Sequence, residues 1–209
     1  KAIAQLEGPV ILISCPGSGK TTTLLRRINH MLEVGIPPEK ILMITFTKAA
    51  AQEMSVKFKK KFGEPNGITF STIHALCLKI LMTYGGLSAE NIIKTSDQWK
   101  FLLETARKCQ SVCDPAKAAG NFQMLYSAAM NNRMSPSEVN PKDIKGISRK
   151  DFLFMSDEYR RMKERTGYID FDDMLVKAYE LMTGNPQVLR QLRERWDYIQ
   201  VDEYQDVNY

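Results

Sequence analysis

Two hydrophobic patterns alternate along residues 1–86 of the chain. Apolar runs at 10–13 and 41–44, together with the segment 68–71, predict strands, because such runs suit strands buried on both faces of a parallel sheet. Apolar residues spaced three and four positions apart predict helices after each of these segments. The predicted helices cover residues 21–34, 48–62 and 72–84. Three strand–helix alternations predict an α/β fold with a doubly wound parallel sheet.

The pattern changes in the second part of the chain. It is helical from 87 to 167, and Asp170 is expected to cap a further helix. The apolar run 198–201 then predicts a last strand, which ends in Asp202-Glu203. The chain is therefore expected to have three parts: 1–86 with the first part of the sheet, 87–167 as an inserted all-helical subdomain, and 168–209 returning to the sheet.

Small residues and a lysine connect the first predicted strand to the first predicted helix. The sequence Gly17-Ser18-Gly19-Lys20-Thr21 in this context predicts a phosphate-binding loop, or P-loop. Backbone N–H groups and the helix N-terminus then face one anion, Lys20 reaches the terminal phosphates, and the Thr21 hydroxyl ligates Mg²⁺. Ser14 stands where the strict pattern has glycine. The predicted nucleotide-binding residues are Ser14, Cys15, Pro16, Gly17, Ser18, Gly19, Lys20, Thr21 and Thr22.

A P-loop enzyme also needs an acidic residue at the tip of a neighbouring strand to hold Mg²⁺. Asp202 is expected to bind the metal or its water, and Glu203 is expected to orient and deprotonate the attacking water. The acidic segment 170–173 is the rival. Too short an apolar segment precedes it for a buried strand, and the helix dipole alone favours carboxylates at a helix start. The predicted catalytic residues are Lys20, Asp202 and Glu203, and the predicted metal ligands are Thr21 and Asp202.

Composition sets limits on the protein class. Apolar residues make up 44% and charged residues 25% of the 209 residues, which are ordinary globular values, and no apolar run approaches the ~20 residues that span a bilayer. The four cysteines form no zinc-binding pattern, so we expect reduced thiols in a cytoplasmic protein without membrane association. Net charge is +5, and six lysines lie between residues 40 and 61 against one acidic residue. Such a stretch indicates either a solvated helix face or a surface for a polyanion.

Four ordered segments carry a resemblance to a known family. The P-loop is similar to a Walker A region, and 201–206 resembles an Asp-Glu-x-x-Gln-Asp box. The segment 44–50, with Glu53-Met54, resembles motif Ia, and 71–77 resembles motif Ib; 170–173 also falls where the family has an acidic segment. Together they resemble the N-terminal part of the UvrD/Rep family of superfamily 1A DNA helicases. The resemblance implies a RecA-like P-loop NTPase sheet, incomplete in this chain, with the helical subdomain inserted in it.

The resemblance also implies that single-stranded DNA crosses the first RecA-like domain. Phe46 and Thr47 of motif Ia would then touch bases and backbone, and Thr72 and His74 of motif Ib would touch phosphates. An aromatic ring stacks on any base, and hydroxyl groups bind the backbone. Apart from the motifs, Phe46 would be assigned to the core and His74 to a packed or surface position. The predicted DNA-binding residues are Thr45, Phe46, Thr47, Thr72 and His74.

We therefore expect the N-terminal part of an ATP-dependent DNA helicase that moves 3′ to 5′ along single-stranded DNA and unwinds duplexes, with ATP and Mg²⁺ as cofactors. The expected partners are single-stranded DNA, single/double-strand junctions and the C-terminal motor domain of the same protein; the oligomeric state stays open. The family's second RecA-like domain and arginine fingers would lie beyond Tyr209, and its adenine-recognising glutamine motif before Lys1. Thr22 stands where many members have an arginine. The 209-residue chain alone is expected to bind nucleotide weakly and to hydrolyse almost none.

Two alternatives stay open from the sequence. The first is the P-loop ATPase of a helicase–nuclease or of a translocase that does not unwind, which sequence beyond Tyr209 would reveal. The second is a non-catalytic nucleic-acid-binding module that retains the P-loop only as scaffold, which a titration with Mg²⁺–ATP would reveal.

Overall fold

A three-stranded parallel sheet and eight α-helices form the main regular structure of the described residues. The computed structural model describes residues 2–13, 15, 17–140, 142, 144 and 146–204. The strands are β1 (Ile41–Thr45), β2 (Thr69–Thr72) and β3 (Tyr198–Val201). The helices are α1 (Lys20–Glu33), α2 (Lys48–Phe62), α3 (Ile73–Tyr84), α4 (Thr95–Arg107), α5 (Pro115–Asn131), α6 (Arg149–Thr166), α7 (Phe171–Gly184) and α8 (Pro186–Arg195). The predicted mixed α/β class is confirmed.

The sheet has the order β2-β1-β3, so β1 is its central strand. Leu42 of β1 is in register with Thr69 of β2 on one side and with Ile199 of β3 on the other. All five residues of β1 are buried, as expected of an apolar run in a central parallel strand. The strand predicted at 198–201 is confirmed, since β3 covers these residues and pairs with β1.

Contacts divide the chain into two units, and each has an apolar core. One unit comprises the described residues up to Leu76 together with those from Asn185 onward, and the other is Cys77–Gly184. These bounds come from contacts, so the functional division at 86 and 167 stays a prediction. The core of the first unit combines residues of α1, α2 and β1: Leu25, Ile28, Met31, Ile41, Met43, Met54 and Phe58.

The second unit is built around aromatic residues of α5 and α6. Phe122 and Phe152 are 0% exposed, and their ring centroids lie 5.7 Å apart. Tyr126 and Tyr159 meet edge to face at 5.5 Å, a favourable geometry for aromatic pairs. The helices predicted from the spacing of apolar residues in this region are confirmed.

Asp170 caps α7, as the sequence predicts. The backbone N–H of Asp173 donates to Asp170 Oδ1 at 2.8 Å, and the backbone N–H of Asp170 donates to Asp173 Oδ2 at 3.0 Å. Each carboxylate therefore satisfies a backbone donor of the first helical turn, which has no partner within the helix. The observed contacts of Asp170 and Asp173 are structural ones within this unit.

The prediction of a strand at 10–13 is wrong. These residues belong to no strand, and Val10, Ile11, Leu12 and Ile13 are 37%, 80%, 37% and 92% exposed. They line a cavity of about 690 Å³ together with residues of β3. An apolar run shows that a segment could be buried, but a strand also requires a neighbour that accepts and donates its backbone hydrogen bonds.

Candidate nucleotide and DNA-binding site

Two glycines shape the chain immediately before α1. Gly17 and Gly19 have φ of +78° and +86°, a conformation that side-chain-bearing residues adopt at a cost. Between them, the backbone N–H and the hydroxyl of Ser18 both donate to the carbonyl of Cys15, at 3.2 and 2.6 Å. This tight turn makes Lys20 the first residue of α1. Ser14 and Pro16, also predicted to bind nucleotide, lie outside the described residues.

The N-terminus of α1 suits an anion. No described side chain caps it, its capping position is Gly19, and its first turn contains no acidic residue. The first N–H groups of the helix therefore face outward with the positive end of the helix dipole. Thr21 is half-buried and Thr22 is exposed. Phosphates bind readily at a helix end of this kind.

Lys20 and Glu203 form an ion pair across the first unit. Lys20 Nζ donates to both carboxylate oxygens of Glu203, at 3.1 Å to Oε1 and 3.0 Å to Oε2. The two side chains are 31% and 39% exposed, so the pair is accessible to a ligand. Residues that the sequence assigns to one catalytic site, from the start and the end of the chain, are thus in direct contact.

Asp202 directly follows β3 and lies beside this pair in sequence. Its backbone N–H donates to the carbonyl of Ile44 at 2.9 Å, which fixes it at the carboxyl edge of the sheet. Burial, and then the charge of Glu203, raise the pKa of Asp202 above its usual value, while a backbone hydrogen bond from Glu203 and the charge of Lys20 oppose this. The surroundings of this carboxylate therefore compensate its negative charge only in part, which favours the binding of a cation beside it.

Thr21 and Asp202 offer oxygen ligands, the type that Mg²⁺ prefers. Mg²⁺ is usually held by one or two carboxylates together with water and substrate phosphates, so it does not require a dense protein cluster. Among the described residues, no group of three His, Cys, Asp or Glu side chains is placed to hold a metal. The donor set therefore fits a metal that arrives with a nucleotide.

The residues predicted to bind DNA lie at or just after the carboxyl ends of β1 and β2. The register pairs Thr45, the last residue of β1, with Thr72, the last residue of β2. Phe46 follows Thr45 and is 60% exposed, so it is a surface residue in this structure. His74 is half-buried on α3 and already interacts with other groups of the protein. Crevices at the carboxyl ends of parallel strands are the usual ligand sites of such sheets.

The three threonines of this edge differ in what their hydroxyls do. Thr47 accepts from the backbone N–H of Ala50 at 3.1 Å, and Thr72 accepts from that of Ala75 at 3.2 Å, so each hydroxyl caps the helix that follows. Thr45 is only 2% exposed, and its hydroxyl donates to the carbonyl of Thr47 at 3.0 Å. Their role toward DNA stays a prediction.

Three of the six lysines between residues 40 and 61 form ion pairs within the protein. These exposed pairs contribute little stability, but they reduce the charge available to a polyanion. The pairs are Lys40–Asp197 at 3.5 Å, Lys57–Glu53 at 2.6 Å and Lys59–Glu64. The solvated-face alternative therefore fits these three lysines.

Gln200 is a feature that sequence reasoning missed. It is 7% exposed in β3, and neither its amide nitrogen nor its amide oxygen has a hydrogen-bond partner among the described residues. It lines the 690 Å³ cavity that Lys20 also borders. A buried amide without partners costs roughly 1–3 kcal/mol, so whatever fills this cavity gains by satisfying it. A single glutamine in an apolar strand gives no sequence signal of this kind.

Residues 1–209 match the UvrD/REP helicase N-terminal domain over their whole length. The chain belongs to this family. Curated relatives of this UvrD/REP domain include YjcD of Bacillus subtilis (strain 168), named as a candidate ATP-dependent DNA helicase and 33% identical over 217 aligned residues. Another is the ATP-dependent DNA helicase PcrA of Staphylococcus aureus (strain Mu50 / ATCC 700699), 30% identical over 214 residues.

The two alignments cover 100% of this UvrD/REP domain but only 28% and 29% of the relatives. The chain therefore spans less than a third of the length of the proteins that it matches. Within the described ranges, no helix combines the length and apolar character that crossing a bilayer requires.

Proposed function

We propose that this UvrD/REP domain is the nucleotide-binding part of an ATP-dependent DNA helicase or translocase. The observation that carries the proposal is the direct contact between Lys20 at the start of α1 and Glu203 after β3. Family membership and the names of YjcD and PcrA support the choice of ATP and DNA as substrates. In this proposal the three-stranded sheet is part of a RecA-like fold, and the helical region is an insertion in it.

Nucleotide binding replaces the partner of Lys20. The ammonium group moves its hydrogen bonds from Glu203 to the terminal phosphate oxygens, while the N–H groups of the first turn of α1 bind the phosphates. This exchange releases the Glu203 carboxylate. Glu203 then acts as general base and accepts a proton from the water that attacks the terminal phosphorus, while the bond from that phosphorus to the β-phosphate oxygen breaks and ADP leaves.

Thr21 and Asp202 would hold Mg²⁺ with the nucleotide. The metal supplies charge neutralisation at the phosphate oxygens. Asp202 suits this role because its carboxylate lies beside Glu203 in a partly buried position that raises its pKa. The repulsion between the Asp202 and Glu203 carboxylates would be reduced by a cation held there.

DNA binds at the neighbouring strand ends in this proposal. The exposed ring of Phe46 stacks on a base of single-stranded DNA, and the polar groups of Thr47, Thr72 and His74 lie along the backbone. Movement from 3′ to 5′, unwinding at single/double-strand junctions and cooperation with a C-terminal motor domain follow from the family resemblance. They apply to the whole protein of which this domain is a part.

The purified 209-residue chain is expected to bind ATP more tightly with Mg²⁺ than with EDTA and to release almost no phosphate. Arginine fingers from outside the chain typically contribute about 10³- to 10⁵-fold in rate, so binding survives without turnover. Fluorescence titration with an ATP analogue, with phosphate release measured in the same samples, tests this.

Asp202→Asn is the paired variant, because it retains the shape of the side chain and removes the charge that attracts the metal. It should bind ATP equally well with Mg²⁺ and with EDTA. Absence of nucleotide binding by the wild type under both conditions would favour the non-catalytic module. Rapid turnover by the wild type would contradict the proposed need for further residues.

A further inference from the structure

The end of β1 combines a buried threonine with an exposed aromatic ring. Thr45 is 2% exposed, whereas Phe46, the next residue, is 60% exposed. The Thr45 hydroxyl donates to the carbonyl of Thr47 at 3.0 Å. One hydrogen bond therefore spans Phe46, joining the residue before it to the residue after it.

Both flanks of Phe46 are thus fixed. On one side, β1 is held by its pairing with β2 and β3, with Thr45 in register with Thr72. On the other side, Thr47 caps α2 by accepting from the N–H of Ala50 at 3.1 Å. A side chain that is held in its binding direction before the ligand arrives loses less conformational entropy on binding.

The choice of threonine at position 45 has no explanation in the sheet alone. Valine has almost the same shape, favours strands equally and carries no hydroxyl to bury. A buried hydroxyl is costly unless it makes a hydrogen bond, and the bond that it makes here is the one across Phe46.

We infer that Thr45 is a positioning residue that orients the Phe46 ring toward a base of single-stranded DNA, without touching DNA itself. The inference rests on the proposed DNA contact of Phe46. It changes the role predicted for Thr45 from the sequence, because a side chain that is 2% exposed presents no surface to a ligand.

The test is the affinity of the 209-residue chain for a fluorescein-labelled oligothymidylate, measured by anisotropy. Phe46→Ala should bind about 5- to 100-fold more weakly, the usual effect of losing an aromatic stacking platform. Thr45→Val should bind about 2- to 10-fold more weakly, the effect of losing one hydrogen bond. Thr45→Ser retains the hydroxyl and should restore binding to within about twofold of the wild type.

A double variant separates positioning from direct contact. If Thr45 acts only through Phe46, then Phe46→Ala combined with Thr45→Val binds no more weakly than Phe46→Ala alone. Thr105→Val is the matched control, because Thr105 is 1% exposed in the other unit and its hydroxyl donates to the carbonyl of Phe101 at 2.8 Å. Its DNA affinity should equal that of the wild type.

Five results would overturn the inference. Additive losses in the double variant would show an independent role for Thr45, and a loss in Thr105→Val would show that the assay reports any buried threonine. Normal binding by Thr45→Val beside weak Phe46→Ala would contradict the inference alone, whereas normal binding by Phe46→Ala would contradict the proposed DNA contact as well. If Thr45→Val does not fold, Thr45→Ala takes its place in the cycle; failure of both to fold would assign the hydroxyl to stability.

Discussion

Lys20 and Glu203 pair with each other, and in the proposed function this ion pair must separate before Lys20 binds phosphate. The ammonium nitrogen lies 3.0–3.1 Å from both carboxylate oxygens, so each charge is satisfied by the other in the free protein. An accessible ion pair of this type contributes about 0–1 kcal/mol. Its competition with phosphate is therefore modest but measurable.

Glu203→Gln should increase the affinity of the chain for inorganic pyrophosphate by about 2- to 5-fold, because Lys20 no longer has a carboxylate partner to exchange. Pyrophosphate isolates the phosphate site from base recognition and from hydrolysis, and calorimetry measures its binding. Glu53→Gln is the control, since Glu53 pairs with Lys57 at 2.6 Å on α2. Equal or weaker binding by Glu203→Gln would show that the pair does not compete with phosphate.

At the level of elements, α6 and α7 are joined by a buried charge cluster. Lys163 of α6 donates to Asp170 Oδ2 at 3.0 Å and to Asp173 Oδ1 at 2.8 Å, and its side chain is 9% exposed. Burial alone would lower the pKa of Lys163, but the charges of Asp170 and Asp173 raise it well above its usual value. The ammonium group also lies 4.6 Å from the centre of the Tyr159 ring. The cluster therefore fixes the start of α7 against the aromatic core of this unit.

Lys163→Met should lower the free energy of unfolding by about 3–5 kcal/mol at about pH 7, since it leaves two buried carboxylates without a cation. Without the ammonium group, the pKa values of both carboxylates rise above their unfolded values. A carboxyl group whose pKa is raised by folding stabilises the folded state at low pH, and this stabilisation is lost as pH rises through its pKa in the folded state. The stability that Lys163→Met loses relative to the wild type should therefore shrink as pH is lowered from about 7 to about 5. Urea unfolding at the two pH values measures it.

The control for that substitution is Arg160→Met on the same helix. Arg160 also pairs with two acidic residues, Asp157 at 2.5 Å and Glu164 at 2.7 Å, but its side chain is 55% exposed. Its loss should cost less than about 1 kcal/mol at either pH. A similar cost for the two substitutions, or a deficit in Lys163→Met that grows on acidification, would contradict this account of the cluster.

For the whole molecule, the order β2-β1-β3 places the candidate nucleotide and DNA residues along one edge of the first unit. Asp202 follows β3 on one side of β1, and Thr72 ends β2 on the other side. Phe46 follows β1 between them. This order explains how a single parallel sheet brings the candidate phosphate-binding and DNA-binding groups together, as the proposed motor requires.

Regular elements of this molecule could be predicted where the sequence pattern depends on burial. The bounds predicted for α2, 48–62, match Lys48–Phe62, and β3 matches the predicted 198–201, because apolar spacing directly records which residues are inside. The prediction of a strand at 10–13 is wrong, since the apolar residues of this segment do not show whether a pairing partner is present. Glu203 can be predicted as a site residue from its place after the last predicted strand, whereas its contact with Lys20 is visible only in the structure.

Two details at the candidate site depend on three-dimensional context that the sequence does not carry. The buried hydroxyl of Thr45 and the amide of Gln200 have no periodicity or spacing that distinguishes them from surface residues. The hydrogen bond of Thr45 and the absence of a described partner for Gln200 arise only in the folded protein. Both are therefore findings of the structure.

The proposed nucleotide site depends on Lys20, at the start of α1, as its phosphate-binding cation. Calorimetric titration of Mg²⁺–ATP into the wild type, Lys20→Ala and Lys57→Ala tests this role, with Lys57 as an ion-paired lysine outside the proposed site. We expect binding by the wild type and by Lys57→Ala, and loss of binding in Lys20→Ala. Equal affinity of Lys20→Ala and the wild type would exclude this role for Lys20.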